Sequence, residues 1–479
     1  MDSASRGGRL LMSTRFVALV WLVVGSSNLV AQKTKPAPPN AIQKEYQAIA
    51  DKIIAAATAD SAAWNKLAEL TDGFGNRISG SDALERAIDW IIGKMRAEGL
   101  ENVRGEPVMV PKWVRGHEKA ELLQPRYLNL PMLGLGGSVA TPRGGVEAEV
   151  LVVSSFDDLK AHAAEAKGKI VLFDVPFTNY GQTVAYRGSG AIESAKVGGV
   201  ATLIRSVGPF GMRTPHTGVM QPYDSTLAKL PAAAITMEDA AMLHRMQARG
   251  QRIVVRLEME AQQLPEAPSR NVMGELAGRE KPDEVVVFGG HIDSWDVGTG
   301  AMDDGGGVVI AWEAVRLLHA LGLRPRRTIR AVGWTNEENG GRGGDAYREA
   351  HRAELAKHIA AIESDGGTFK FRGFGFSGGD SAYAVVRQIG KLLKPLGADT
   401  VFAGGGGSDI GPIMGEGVPG MSPNVDGSRY FWYHHTEADN VDKVDPRELA
   451  ENVAAMAVMA YVLADLPAAL PRGGKRVGR

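Results

Sequence analysis

Glu284-Val285-Val286-Val287-Phe288, followed by Gly289-Gly290-His291-Ile292-Asp293, is a short apolar run that stops at ligand-type side chains. Two further runs stop in the same way. Residues 328–334 lead into Thr335-Asn336-Glu337-Glu338, and Ile359-Ala360-Ala361-Ile362 leads into Glu363-Ser364-Asp365. Apolar runs this short, rich in β-branched residues, read as buried strands. Open α/β sheets put their chemistry at the carboxyl ends of parallel strands. The pattern therefore predicts an α/β fold with a site built at successive strand ends. Asp303 and His435 lie in loops further along and complete a set of ligand-type residues.

Oxygen donors mixed with imidazole suit a borderline divalent metal such as zinc. Hydrolysing an amide needs a strong nucleophile at neutral pH, a polarised carbonyl and a proton shuttle. Two divalent ions about 3.5–4 Å apart supply the first two. Such a pair needs a bridging carboxylate, terminal ligands on each ion and a free carboxylate beside the water. Asp303, in Gly300-Ala301-Met302-Asp303-Asp304 before a helix, is the bridging candidate. His291 and Asp365 close the first and third strands, and His435 can complete the second ion. Glu337-Glu338 is a pair in a turn, where adjacent side chains diverge, so one can bind metal while the other acts as general base. Asp293 is a candidate to orient the His291 ring, since ligand histidines usually donate to a carboxylate.

Composition bounds the rest. A net charge of −1 gives no electrostatic case for nucleic acid or an anionic membrane. The absence of cysteine excludes disulfides, thiolate catalysis and cysteine-ligated zinc. With 479 residues the chain is long enough for more than one domain. Arg6, Arg9 and Arg15 precede the apolar residues 16–24, and Leu29-Val30-Ala31 follow. That order predicts a secretory signal over 1–31 and an extracytoplasmic protein. The apolar stretch is shorter than the roughly 20 residues that span a bilayer, so no stable membrane anchor is expected.

Residues 32–58 read as a spacer and helix, a candidate propeptide. A helix is expected after Ser81, with Leu84, Ile88, Ile91, Ile92 and Met95 on one face and Gly99 at its end. From 125 to 262 short strands alternate with turns, and short helical patterns appear at 192–197 and 237–249. This block is expected to be an inserted, mainly β domain without catalytic residues, with His162, His216 and His244 at its surface. The α/β pattern then resumes, and a last helix starts at Pro446 after Asp445. Residues 469–479 are expected to be a disordered tail. Gly375-Phe376-Ser377-Gly378-Gly379 fits a nucleophile-elbow pattern but is read as a strand edge or turn in a glycine-rich chain.

The stretches Gly290-His291-Ile292-Asp293-Ser294-Trp295-Asp296-Val297-Gly298 and Gly300-Ala301-Met302-Asp303-Asp304-Gly305-Gly306-Gly307 resemble the M28 metallopeptidases. Trp334-Thr335-Asn336-Glu337-Glu338, Glu363-Ser364-Asp365 and Tyr430-Phe431-Trp432-Tyr433-His434-His435-Thr436 match that family's later motifs in order. Within the family the likeness is nearest to a carboxypeptidase, and it runs from about residue 77 to about residue 467. The middle block, with Lys167-Gly168-Lys169-Ile170-Val171 and Pro215-His216-Thr217-Gly218, resembles the family's protease-associated insertion.

The resemblance implies a mixed, mainly parallel sheet flanked by helices, of the zinc exopeptidase type, over 59–124 and 263–468. The protease-associated domain would occupy 125–262. It implies two zinc ions, one on His291 and Asp365, the other on Glu338 and His435, with Asp303 bridging. Glu337 would be the general base and Asp293 would orient His291. The implied substrate is a dipeptide or short peptide and the implied assembly a homodimer. Asn336 and Asn339 beside the Glu pair, and Gly366-Gly367 after Asp365, depart from the pattern and bear on specificity. Aminopeptidase polarity with the same site, a non-catalytic binding protein on the same fold, and acyl transfer at one zinc remain as rival readings.

Overall fold

The computed structural model describes residues 40–478. The expected signal over 1–31 and the first part of the spacer lie outside the described residues. Within them the chain forms two sheets.

The larger sheet runs in the order Glu101–Val114, Gln262–Leu276, Arg327–Trp334, Lys281–His291, His358–Glu363, Gly420–Val425, Phe371–Gly379, Thr400–Ala403. Its centre is parallel. Lys281–His291 pairs in parallel with Arg327–Trp334 on one side and His358–Glu363 on the other. The flanking pairs Glu101–Val114 with Gln262–Leu276, and Phe371–Gly379 with Gly420–Val425, are antiparallel. The sheet is therefore mixed, and parallel where the site residues sit rather than throughout.

Side-chain alternation sends this sheet's strands into two cores. Val286, Phe288, Ile329 and Ala331 pack on one face under helices Gly306–Ala320 and Pro446–Asp465. Val285, Val287, Val332 and Trp334 pack on the other, against Tyr347, Ile410 and Ile413. The long helix Pro446–Asp465 starts as expected, with the Asp445 carboxylate accepting from Arg447 N at 2.7 Å. Helix Asp82–Ala97 also forms as expected, buries all five of the named apolar residues and is followed by Gly99 at φ +80°.

Helix Ala41–Thr58 buries Tyr46, Ala50, Ile53, Ile54 and Ala57 in the same core as Pro446–Asp465, and its Tyr46 hydroxyl donates to Asp465 O at 3.0 Å. This packing is at odds with a propeptide ending at 58, because detaching the helix would bare the core.

The second sheet runs Leu128–Leu130, Glu118–Gln124, Val254–Met259, Val146–Val153, Ile170–Phe173, Ala201–Arg205, Ala232–Ile235, Met132–Gly134. Glu118–Gln124 pairs with Val254–Met259, so the inserted block begins one strand before the expected boundary at 125. Its middle strands are parallel: helices Phe156–Ala161 and Ala163–Ala166 lie between Val146–Val153 and Ile170–Phe173, and helix Tyr180–Lys196 lies between Ile170–Phe173 and Ala201–Arg205. The block is thus α/β at its centre rather than mainly β.

The tail expected to be disordered is instead engaged. Arg476–Val477 pairs with Phe371–Gly379, and Leu470 is buried. Ser377 sits in that strand and donates to Gly478 O at 2.7 Å, which leaves no nucleophile elbow there. No helix among the described residues is long and apolar enough to cross a membrane.

Candidate metal centre

The parallel strands deliver their last residues to one place. His291 ends its strand, and Glu363, which ends the next, carries Asp365 two residues on. Asp303 lies in the turn Ala301–Gly305 that enters helix Gly306–Ala320. His291 Nε2 is 3.2 Å from Asp303 Oδ1 and 3.6 Å from Asp365 Oδ1. His435 Nε2 is 3.4 Å from Asp303 Oδ2 and 3.0 Å from Glu338 Oε2. Asp303 thus faces a histidine on each side, one oxygen to each. Its two neighbourhoods, with His291 and Asp365 and with His434 and His435, each hold ligand atoms within 4.8 Å of one another. His434 Nε2 is 3.7 Å from Asp303 Oδ2, and its ring stacks on His435 with centroids 3.5 Å apart. His435, unlike His434, also contacts Glu338.

These groups match a cation rather than each other. Asp303 Oδ2, Glu338 Oε1 and Asp365 Oδ1 are buried and have no hydrogen-bond partner. Buried polar atoms are normally paired, so three unpaired carboxylate oxygens in this one site mark a place for positive charge. Burial raises Glu338 well above the ordinary carboxylate range, with Asp303 adding to it. Burial also pushes Glu337 up to about 7. His435 is driven well below its usual value by burial and by His434, so its imidazole is neutral and its lone pair is free to ligate.

Asp293 does a different job from the one its spacing suggested. His291 Nδ1 donates to the Asp293 backbone carbonyl at 2.9 Å, while the carboxylate is 3.8 Å away. That carboxylate accepts from Glu337 N at 3.1 Å, Glu338 N at 3.3 Å and Ser79 Oγ at 3.2 Å. It fixes the turn that carries the glutamate pair. Asp304 caps the helix at Gly307 N, 3.1 Å, and also accepts from His291 N at 3.0 Å.

A cavity of about 370 Å³ opens over Asp303, Glu337, Glu338 and Asp365. Part of its wall comes from the inserted block. Arg187 and Tyr180, both on helix Tyr180–Lys196, line it beside Val219, Ser408 and Phe431. Arg187 Nη1 lies 3.3 Å from His435 Nδ1 and 3.3 Å from Thr217 O, and Nη2 donates to Tyr180 OH at 2.7 Å. Its Nε is buried and unpaired. The insert was expected to carry no catalytic residue, and it nonetheless contributes Tyr180 and Arg187 to the wall of the cavity. Glycines at 181, 188 and 190 diluted the helical pattern. The usable signal was Asn179, whose side chain caps Gln182 N. His216 is also buried, at 2% exposure, and not a surface residue. His162 and His244 are exposed on the insert, as expected.

Residues 271–460 match the model of peptidase family M28. The chain is 47% identical over 409 residues to carboxypeptidase Q of Mus musculus, covering 85% of this chain and 87% of that protein. To the Homo sapiens carboxypeptidase Q it is 46% identical over 414 residues, 86% and 88%. A crystal structure of a peptidase M28 precursor from Shewanella amazonensis superposes with a TM-score of 0.86 at 38% identity, covering 90% of this chain and all of that one. A zinc aminopeptidase from Bacillus subtilis shares the fold, with a TM-score of 0.62 at 20% identity over 83% of this chain and 93% of that one.

Proposed function

Because the chain is a metallopeptidase belonging to family M28, we propose that it is a secreted dizinc exopeptidase that cuts an amino acid from dipeptides or short peptides, with carboxypeptidase polarity. The observation that carries this reading is Asp303, set between His291 and His435 with an unpaired oxygen. The donor set fits zinc: carboxylates and imidazoles, with no thiolate in the chain. His291, Asp365 and Asp303 would hold one ion, and Asp303, Glu338 and His435 the other. When bound, such a pair supplies a nucleophilic water at neutral pH and polarises the scissile carbonyl.

The chain's own residues do the remaining work. Glu337 takes the water's proton and returns it to the leaving amine, a role suited to a carboxyl whose pKa burial has pushed up to about 7. Asp293 keeps Glu337 and Glu338 pointing in their separate directions through their backbone N–H groups. Arg187 supports the polarity. It is a buried guanidinium in a cavity that also presents the carboxylates of Asp303, Glu337, Glu338 and Asp365, and it suits the free α-carboxylate of a substrate. The names of the carboxypeptidase Q relatives agree with that polarity.

Secretion rests on the basic, apolar and small-residue order of 1–31. The inserted block is proposed to be a protease-associated domain that walls the cleft. The homodimer implied by the family resemblance is tested by sedimentation of the purified chain. A non-catalytic binder on this fold is disfavoured because every ligand and the candidate base are present.

The test is amino-acid release from dipeptides left free, acetylated at the N-terminus or amidated at the C-terminus, with Glu337→Gln alongside. Hydrolysis of free and acetylated peptides by wild type alone supports the reading. Tolerance of the amide but not the acetyl group would give aminopeptidase polarity. No hydrolysis of any peptide would overturn the reading.

A further inference from the structure

Asp303 owes its position to two residues far away in sequence. The segment 292–303 leaves the end of the strand Lys281–His291, passes through Gly298 and Gly300, and returns at Asp303. Both glycines have positive φ, +63° and +58°. A Cβ at Gly298 would stand 2.7 Å from Thr436 O and 2.8 Å from Asp439 O, and one at Gly300 would collide with Ser294. The segment therefore lies tightly against its neighbours.

The first partner is Arg77, fully buried. Its Nε donates to Ile292 O at 2.8 Å, Nη1 to Thr299 O at 2.7 Å and Nη2 to Gly300 O at 2.9 Å. Its backbone N donates to Ser294 Oγ at 2.9 Å. One rigid fork thus gathers carbonyls from both limbs of the segment. The second partner is Asp439, 3% exposed. Its Oδ1 accepts from Ala301 N at 3.1 Å and Met302 N at 2.7 Å, and its Oδ2 from Asp303 N at 3.1 Å. Its carbonyl accepts from Thr299 N at 2.7 Å. The fork binds carbonyl oxygens and the carboxylate binds N–H groups, so both kinds of backbone polar group in the segment are held. Neither residue contacts the cavity, so neither is a catalytic residue.

We infer that Arg77 and Asp439 are positioning residues that act as a paired clamp, one on the segment's carbonyls and one on its N–H groups, holding Asp303 where it can serve both metal ions at once. The inference rests on the dizinc reading. Breaking the clamp lets Asp303 drift. Zinc binding then weakens and the chemical step slows, while substrate affinity, set elsewhere in the cavity, changes little.

The experiment uses the full chain stripped of metal and refilled with zinc, comparing wild type, Asp439→Asn and Arg77→Lys. Asp439→Asn removes one acceptor and the charge. Arg77→Lys keeps the charge and loses the fork. Zinc affinity is read by competition with a chelating dye, kcat and KM on a free dipeptide, and folding by circular dichroism of the metal-free protein. The expected result for folded variants is zinc affinity lower by roughly 10–100-fold, the range known for groups that orient metal ligands, with kcat lowered and KM near wild type. Zinc affinity equal to wild type in either folded variant overturns the inference, even if thermal stability falls. Should one variant fail to fold, the other decides. Failure of wild type to take up zinc overturns the dizinc reading itself and the inference with it.

Discussion

Arg187 Nη1, on the helix Tyr180–Lys196 of the inserted block, lies 3.3 Å from Nδ1 of His435 in the larger sheet's domain. The contact joins the two sheets at the site, and it brings a cation to the edge of a carboxylate-lined cavity. If that cation receives a substrate carboxylate, the insert sets which end of a peptide is cut.

Arg187→Ala is expected to raise KM for dipeptides with a free C-terminus by roughly 10–100-fold, the loss of one buried charge-assisted hydrogen bond. C-terminally amidated peptides, expected to be poor substrates, should change little. Equal loss on both kinds of peptide, measured by steady-state kinetics, would assign Arg187 to holding His435 instead.

Asp293→Ala leaves the Glu337 and Glu338 N–H groups without their acceptor. Activity should fall about 10–100-fold, as for other groups that orient metal ligands. Asp293→Asn keeps an acceptor oxygen and should lose less. A variant with wild-type kcat would remove Asp293 from the account.

Helix Ala41–Thr58 belongs to the core, so Ile53→Ala should lower the unfolding free energy by about 2–5 kcal/mol, the usual cost of a buried aliphatic truncation. A change within about 0.5 kcal/mol, as at surface sites, would mean that the helix is detachable.

His358 gives an acid limb to stability. Burial lowers its pKa from 6.5 to about 4. Its Nδ1 faces Glu354 O at 3.1 Å and its Nε2 the Tyr347 hydroxyl at 2.9 Å, an arrangement for a neutral ring. The unfolded chain therefore takes a proton below pH 6.5 that the fold refuses. The neutral ring costs the fold nothing above pH 6.5, and stability is lost as pH falls from there toward 4. His358→Asn should flatten the melting temperature against pH over that window, measured on metal-free protein. An unchanged slope would contradict this.

The site was legible because ligand-type residues directly follow apolar strands. Local sequence carries both the strand and its end, and His291, Asp303, Glu337, Glu338, Asp365 and His435 do converge. What escaped depends on contacts between distant segments. Arg187 sits on a glycine-diluted helix and meets His435 only across the two sheets. Glu118–Gln124 reads as any short strand until it pairs with Val254–Met259. The tail is basic and polar, yet Arg476–Val477 finds an edge in Phe371–Gly379. The Asp293 carboxylate was expected on His291 by proximity in sequence, but backbone N–H groups more than forty residues away claim it.

The most direct test of the proposed dizinc centre is hydrolysis of a free dipeptide while zinc is titrated into metal-stripped protein. The account predicts that activity climbs until two equivalents per chain are bound and then levels, with Asp303→Ala showing no such rise. Full activity at one equivalent, or activity that ignores zinc altogether, would contradict it.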